Sequence, residues 1–212
     1  MHLVRLTLSK RTRANLETNL VQDGNGGALF YTGSGGLAVI SSTFTSNDAD
    51  SGGALYVSNA ASVELTDSDF SYNDAETAGG AAYLNASIAA TGCTFTRNNA
   101  ASESGGALFV RGAATMMVED CEFSLNSAPE AEGGAVYIMN EDNNAGWVSM
   151  AQSQFRSNAA VIGGAVFCGG PVGRIGLEDC RFYLNSGSQV CTQTPTSCAG
   201  CSEHCALNPS DF

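Results

Sequence analysis

Ser104 to Asn126 reads SGGALFVRGAATMMVEDCEFSLN. The stretch opens on Gly-Gly-Ala and closes on Phe-x-x-Asn, and both signatures recur along the chain. Gly-Gly-Ala begins at Gly26, Gly52, Gly79, Gly105, Gly133 and Gly163, in steps of 26, 27, 26, 28 and 30 residues. Phe-x-x-Asn stands at Phe44/Asn47, Phe70/Asn73, Phe95/Asn98, Phe123/Asn126, Phe155/Asn158 and Phe182/Asn185. Leu16/Asn19, ten residues before Gly26, reads as a degenerate earlier copy. Self-similarity at a fixed period marks a repeat architecture, so residues 26–187 are expected to form one elongated array.

Aligning the copies on Phe shows what each repeat buries. Seven and five residues before it stand Leu37/Val39, Val63/Leu65, Ile88/Ala90, Met116/Val118, Val148/Met150 and Ile175/Leu177, with small or polar residues mostly between. That alternation is the mark of a strand with one buried face. The residues after each Gly-Gly-Ala are strand-like too, and no window keeps a helical period. Three short strands per repeat, cornered by Gly, Asn, Asp and Ser, predict an all-β right-handed parallel β-helix of six to seven coils. Coils spaced by about 4.8 Å would give a rod on the order of 30 Å long. The glycines suit tight corners, the phenylalanines an interior pile, and the asparagines a ladder at a left-handed corner.

Gly-Gly-Ala-aliphatic paired with Phe-x-x-Asn resembles the repeat of the polymorphic outer-membrane protein family. Those are surface and secreted proteins whose passenger domains are β-helices of the pectin-lyase-like superfold. The likeness covers roughly residues 26–187. It implies adhesion or surface structure and no catalytic residues.

Composition fits a solvated rod. The net charge is −12, unevenly spread. Arg5, Lys10, Arg11 and Arg13 against Glu17 give residues 1–20 a net +3, leaving −15 on the rest. An acidic body argues against binding a phosphate backbone, so nucleic acid is not an expected partner. Residues 1–25, Arg-rich at the start, resemble a transit peptide. Val4, Leu6 and Leu8 alternate as a strand does, however, which favours an irregular first coil. There is no apolar run long enough to cross a membrane.

The eight cysteines fall into two groups. Cys93, Cys121 and Cys180 occupy a slot two residues before Phe, shared with Ser42, Ser68 and Ser153. Cys93 and Cys121, on adjacent coils, lie within disulfide reach, but buried thiols are the favoured reading. Cys168 takes an aliphatic core position. Cys191, Cys198, Cys201 and Cys205 sit in a polar tail, residues 188–212, expected to carry two disulfides and to cap the rod. A zinc site on Cys198, Cys201 and Cys205 with Cys191 or His204 is the alternative. Asn85-Ala86-Ser87 is a glycosylation sequon, read as an unmodified corner or a glycan site.

Two features are candidates for function. An aromatic column stands four residues past each first glycine: Phe30, Tyr56, Tyr83, Phe109, Tyr137 and Phe167. Its neighbours Leu29/Tyr31, Leu55/Val57 and Leu108/Val110 are apolar as well, so one apolar set faces out, and if that set is the aromatics they form an interaction stripe. Acids gather before the Phe positions: Asp67 and Asp69; Glu119, Asp120 and Glu122; Glu178 and Asp179. A polysaccharide-degrading β-helix enzyme would use grouped carboxylates, sometimes through calcium. Solvated acids holding calcium weakly at most are the simpler reading, and no other cofactor or metal is expected. The expectation is therefore a non-catalytic structural or adhesive protein, acting through protein partners or in a larger assembly. It would work extracellularly or on a cell surface, or as a scaffold in a lumenal or organellar assembly. A polysaccharide-binding or polysaccharide-degrading enzyme is the alternative.

Overall fold

The structure is a computed structural model, and it describes residues 11–12, 15–21, 24–112, 115–139, 146–169 and 172–188. Those residues form a parallel β-helix with no helical segment. Four sheets run the length of the rod, two of seven strands and two of six. One coil shows the plan: Leu55–Ser58, Ser62–Thr66, Asp69–Ser71 and Asp74–Ala75. Three strands per coil were expected. The fourth is a short strand directly after the asparagine, where an alanine faces the core. Ala49, Ala75, Ala100 and Ala128 are at most 2 % exposed. The repeated Asn-x-Ala is visible in the sequence, but two residues are too few for an alternation to register.

Register is set by like residues. Phe44, Phe70, Phe95, Phe123, Phe155 and Phe182 are partners in successive strands. Leu16 pairs with Phe44 at the head of that sheet, and residues 11–12 pair with Ala38 and Val39. Phenylalanine rings stack at 4.7–5.1 Å between centroids, and those from Phe44 to Phe155 are at most 1 % exposed. Each such ring contributes roughly 1.5–3 kcal/mol of burial. The aliphatic pairs predicted to face inward do so: Val63, Leu65, Met116 and Val118 are at most 1 % exposed.

The asparagines form a second interior column. Each donates from its side-chain amide to the next asparagine's Oδ1 at 2.8–3.0 Å, and from its backbone N–H to the same oxygen. The remaining amide hydrogen bonds the carbonyl of Phe44, Phe70, Phe95, Phe123 or Phe155, or of Leu16 at the head. Asn19 joins this ladder from below Asn47. A buried polar side chain is tolerated when its hydrogen bonds are made.

Three left-handed corners turn each coil, and none uses the asparagine. The first glycine of each pair has φ of 61–76°. The second glycine is required for another reason: a Cβ at Gly80 would overlap the carbonyl oxygen of Gly106 in the next coil. The other two corners fall three residues before Phe and two after it. The first is held by Ser41, Asp67, Gly92, Asp120, Gln152 and Asp179, the second by Ser46, Tyr72, Arg97, Leu125, Ser157 and Leu184. The expected left-handed asparagine is therefore displaced by one residue. With Asn turned inward to reach both neighbouring coils, the residue before it has to make the bend.

Candidate interaction face

The strands after Gly-Gly-Ala are Leu29–Thr32, Leu55–Ser58, Ala82–Asn85, Leu108–Arg111, Val136–Met139 and Val166–Cys168. Both faces are apolar in sequence, and packing decides between them. Leu55, Val57, Leu84, Leu108 and Val110 are fully buried. The aromatics alternate with them and point outward in one unbroken column. Phe30, Tyr56, Tyr83, Phe109, Tyr137 and Phe167 are in register. Their rings stack at 5.2, 4.9, 4.9, 5.1 and 5.6 Å, tilted by no more than 16°.

Stacking changes what this stripe presents. Each ring covers the face of its neighbour, so Phe109 is buried and the other five are half-buried. A partner meets a row of ring edges about 4.8 Å apart rather than six open faces. Burial holds the Tyr56 phenol above its usual range, helped by Tyr83, and burial with the nearby Glu132 carboxylate does the same for Tyr137. Both hydroxyls are uncharged at neutral pH. Arg111 and Met139 continue the outward face beside the rings.

The acids are dispersed rather than gathered. Asp67, Asp120 and Asp179 are corner residues with φ of 47–52°, a conformation Asp accepts more readily than most side chains. Gly92 and Gln152 hold the intervening corners, so neighbouring aspartates in this column are two coils, or about 9.6 Å, apart. Asp69 accepts a hydrogen bond from Thr94 at 2.8 Å. Glu119, Asp120, Glu122, Glu178 and Asp179 are exposed. Asp48 and Asp74, which the sequence reading passed over, do stack in adjacent coils. Partial burial and the Asp74 charge raise the Asp48 carboxyl above its usual range.

The slot before Phe is a second polar ladder. Ser42 and Cys121 donate from their N–H groups to Ser68 and Ser153 hydroxyls at 3.1 Å, and Cys93 donates to the Cys121 sulfur at 3.4 Å. Each of these hydroxyls or thiols donates back to the carbonyl two residues earlier. Cys93 and Cys121 are buried thiols, not a disulfide, and Cys180 is a half-buried one. Its hydrogen bond with Cys93, together with burial, raises the Cys121 thiol far above its usual range. Cys168 is half-buried opposite Ile138.

Asn85 is exposed at its strand end, beside Arg111. Another exposed feature escaped the sequence reading. The corner after Phe carries Tyr72, Arg97 and Leu125 in successive coils, and the Arg97 guanidinium lies 5.4 Å from the Tyr72 ring centroid and donates to its hydroxyl. Cys191, Cys198, Cys201 and Cys205, with the tail disulfides expected of them, lie outside the described residues. Among the described residues no helix is long and apolar enough to cross a membrane.

A family model described as the right handed beta helix region matches residues 6–201 of the chain. Searches of curated proteins and of solved structures returned no match.

Proposed function

The chain belongs to the right-handed β-helix family, and from that premise we propose that it is a non-catalytic structural or adhesive protein. It works as a surface component or assembly scaffold, and its contacts are made along the aromatic column. The supporting observation is the side on which the rings lie. Six aromatics in register are kept outside while smaller aliphatics fill the lumen. Large rings with a small polar tip are the residues that dominate protein interfaces. The repeat's resemblance to polymorphic outer-membrane proteins supports the same role, and with it an extracellular or cell-surface location.

The dispersal of the acids also favours this reading over action on polysaccharide, since glycoside hydrolysis uses two carboxylates about 5–9.5 Å apart flanking one bond. Tyr83→Ser with Tyr137→Ser should leave the β-sheet circular dichroism intact and weaken binding to cells, or assembly into the native particle, at least about tenfold. Asp120→Asn with Glu122→Gln should change neither. Loss of a polysaccharide-dependent activity in the acid variant, with assembly unaffected in the tyrosine variant, would overturn the proposal.

A further inference from the structure

The two ends of the rod are not alike. At the first coil Leu29, Leu37, Val39 and Phe44 are at most 4 % exposed, because residues 11–12 and 15–17 pair over that coil. At the last coil the core is open. Leu177, in register with the fully buried Met150, is 45 % exposed, and Phe182 and Ile175 are only half-buried.

The backbone has the same asymmetry. The N–H groups of Gln152 and Ser157 donate to the next coil, at Glu178 and Tyr183 carbonyls, and that of Asn158 donates to Asn185 Oδ1. Their counterparts in the last coil are Asp179, Leu184 and Asn185. By the same geometry these N–H groups point past the last described strand, toward the position of a further coil. An apolar floor rimmed by aligned donors is a surface on which another strand layer adds.

We propose that residues 189–212 close this face, and thereby keep a second copy of the chain from stacking on it. The segment starts directly after Ser188, where the last strand ends. Its 24 residues are nearly the length of one coil. The family match runs 13 residues past that strand, to Cys201. The segment lacks both Gly-Gly-Ala and Phe-x-x-Asn, so it covers the end without offering a new one, as terminal units of repeat proteins do. Tethering gives it an effective concentration in the millimolar range, beyond that of a second molecule in dilute solution.

Residue-resolved hydrogen exchange on the full chain, at two protein concentrations, tests this. Arg181 and Ser186 donate back to Ser153 and Asn158 and report on the integrity of the last coil itself. The expected result is protection at Asp179, Leu184 and Asn185 within about tenfold of those two, independent of concentration, with the chain monomeric by light scattering. Near-free exchange at the three amides overturns the proposal, whether Arg181 and Ser186 stay slow or not. Protection that grows with concentration alongside a dimer overturns it in favour of a second copy.

Discussion

Asn98 takes part in five hydrogen bonds and presents no surface to solvent. Replacing it by Ala leaves the amide and N–H of Asn73 and the carbonyl of Phe70 without their partners, each buried. An orphaned buried group costs about 1–3 kcal/mol, so Asn98→Ala should destabilise by roughly 3 kcal/mol or more in a denaturant titration. A cost under about 1 kcal/mol would mean that water reaches the column. The neighbouring slot predicts the opposite tolerance. A hydroxyl makes the same two bonds as a thiol, as Ser68 and Ser153 show, so Cys121→Ser should cost under about 1 kcal/mol. Cys121→Val should cost more, because the N–H of Cys93 then loses its acceptor. Chemical unfolding of the two variants side by side separates them.

Among the elements, the short strands after the asparagines show how stacking acts on charge. Asp48, Asp74 and Asn99 are partners in successive coils, and Asn99 donates to Asp74 at 2.9 Å. Asp48 has no such relief. Because its folded pKa is raised, its ionisation opposes folding above that value, and the penalty disappears as pH falls below the unfolded value near 3.8. Asp48→Asn should therefore stabilise at neutral pH and be neutral near pH 3. Like charges facing across a sheet cost about 0.2–1 kcal/mol, and the exposure of this pair places the gain at the lower end. Equal stabilisation at both pH values would assign the effect to packing instead. The corner strands pose a separate cost. Tyr72, Arg97 and Leu125 hold φ of 55–59°, where a side chain is disfavoured by roughly 1–2 kcal/mol. The inward asparagine that follows each of them requires that bend.

The whole molecule is a stack in which each coil touches only its neighbours. Its charge is similarly one-dimensional: a body at −15 with Arg97 and Arg111 as the only cations between Ala14 and Phe155. Acids aligned along a rod repel, and salt screens them. Raising ionic strength from about 0.01 M to 0.15 M shortens the screening length from about 30 Å to 8 Å, so Tm should rise by a few degrees. A fall in Tm would show that attractive pairs dominate the surface. The same repulsion opposes lateral clustering of bare rods, so an apolar seam such as the aromatic column has to supply the attraction in any side-by-side contact.

Much of this was written in the chain because in a parallel solenoid the residue one coil away is the nearest neighbour. A period of 26 residues and a repeated Phe or Asn thus state a contact directly, and the interior pile, the ladder and the coil count follow from sequence alone. What the period could not state was direction within a coil. Leu-Tyr-Val is apolar on both faces, so only the volume of the lumen decided that Leu55 and Val57 go in and Tyr56 goes out. Asn and the residue before it are both plausible corner residues, and only the reach of the amide to two neighbouring coils turned Asn98 inward and bent Arg97. Nor could spacing show that Asp67 and Asp120 stand two coils apart at corners, or that the last coil leaves Leu177 uncovered. Those are matters of which side of a strand, and which end of a stack, meets solvent, and a linear repeat is silent on both.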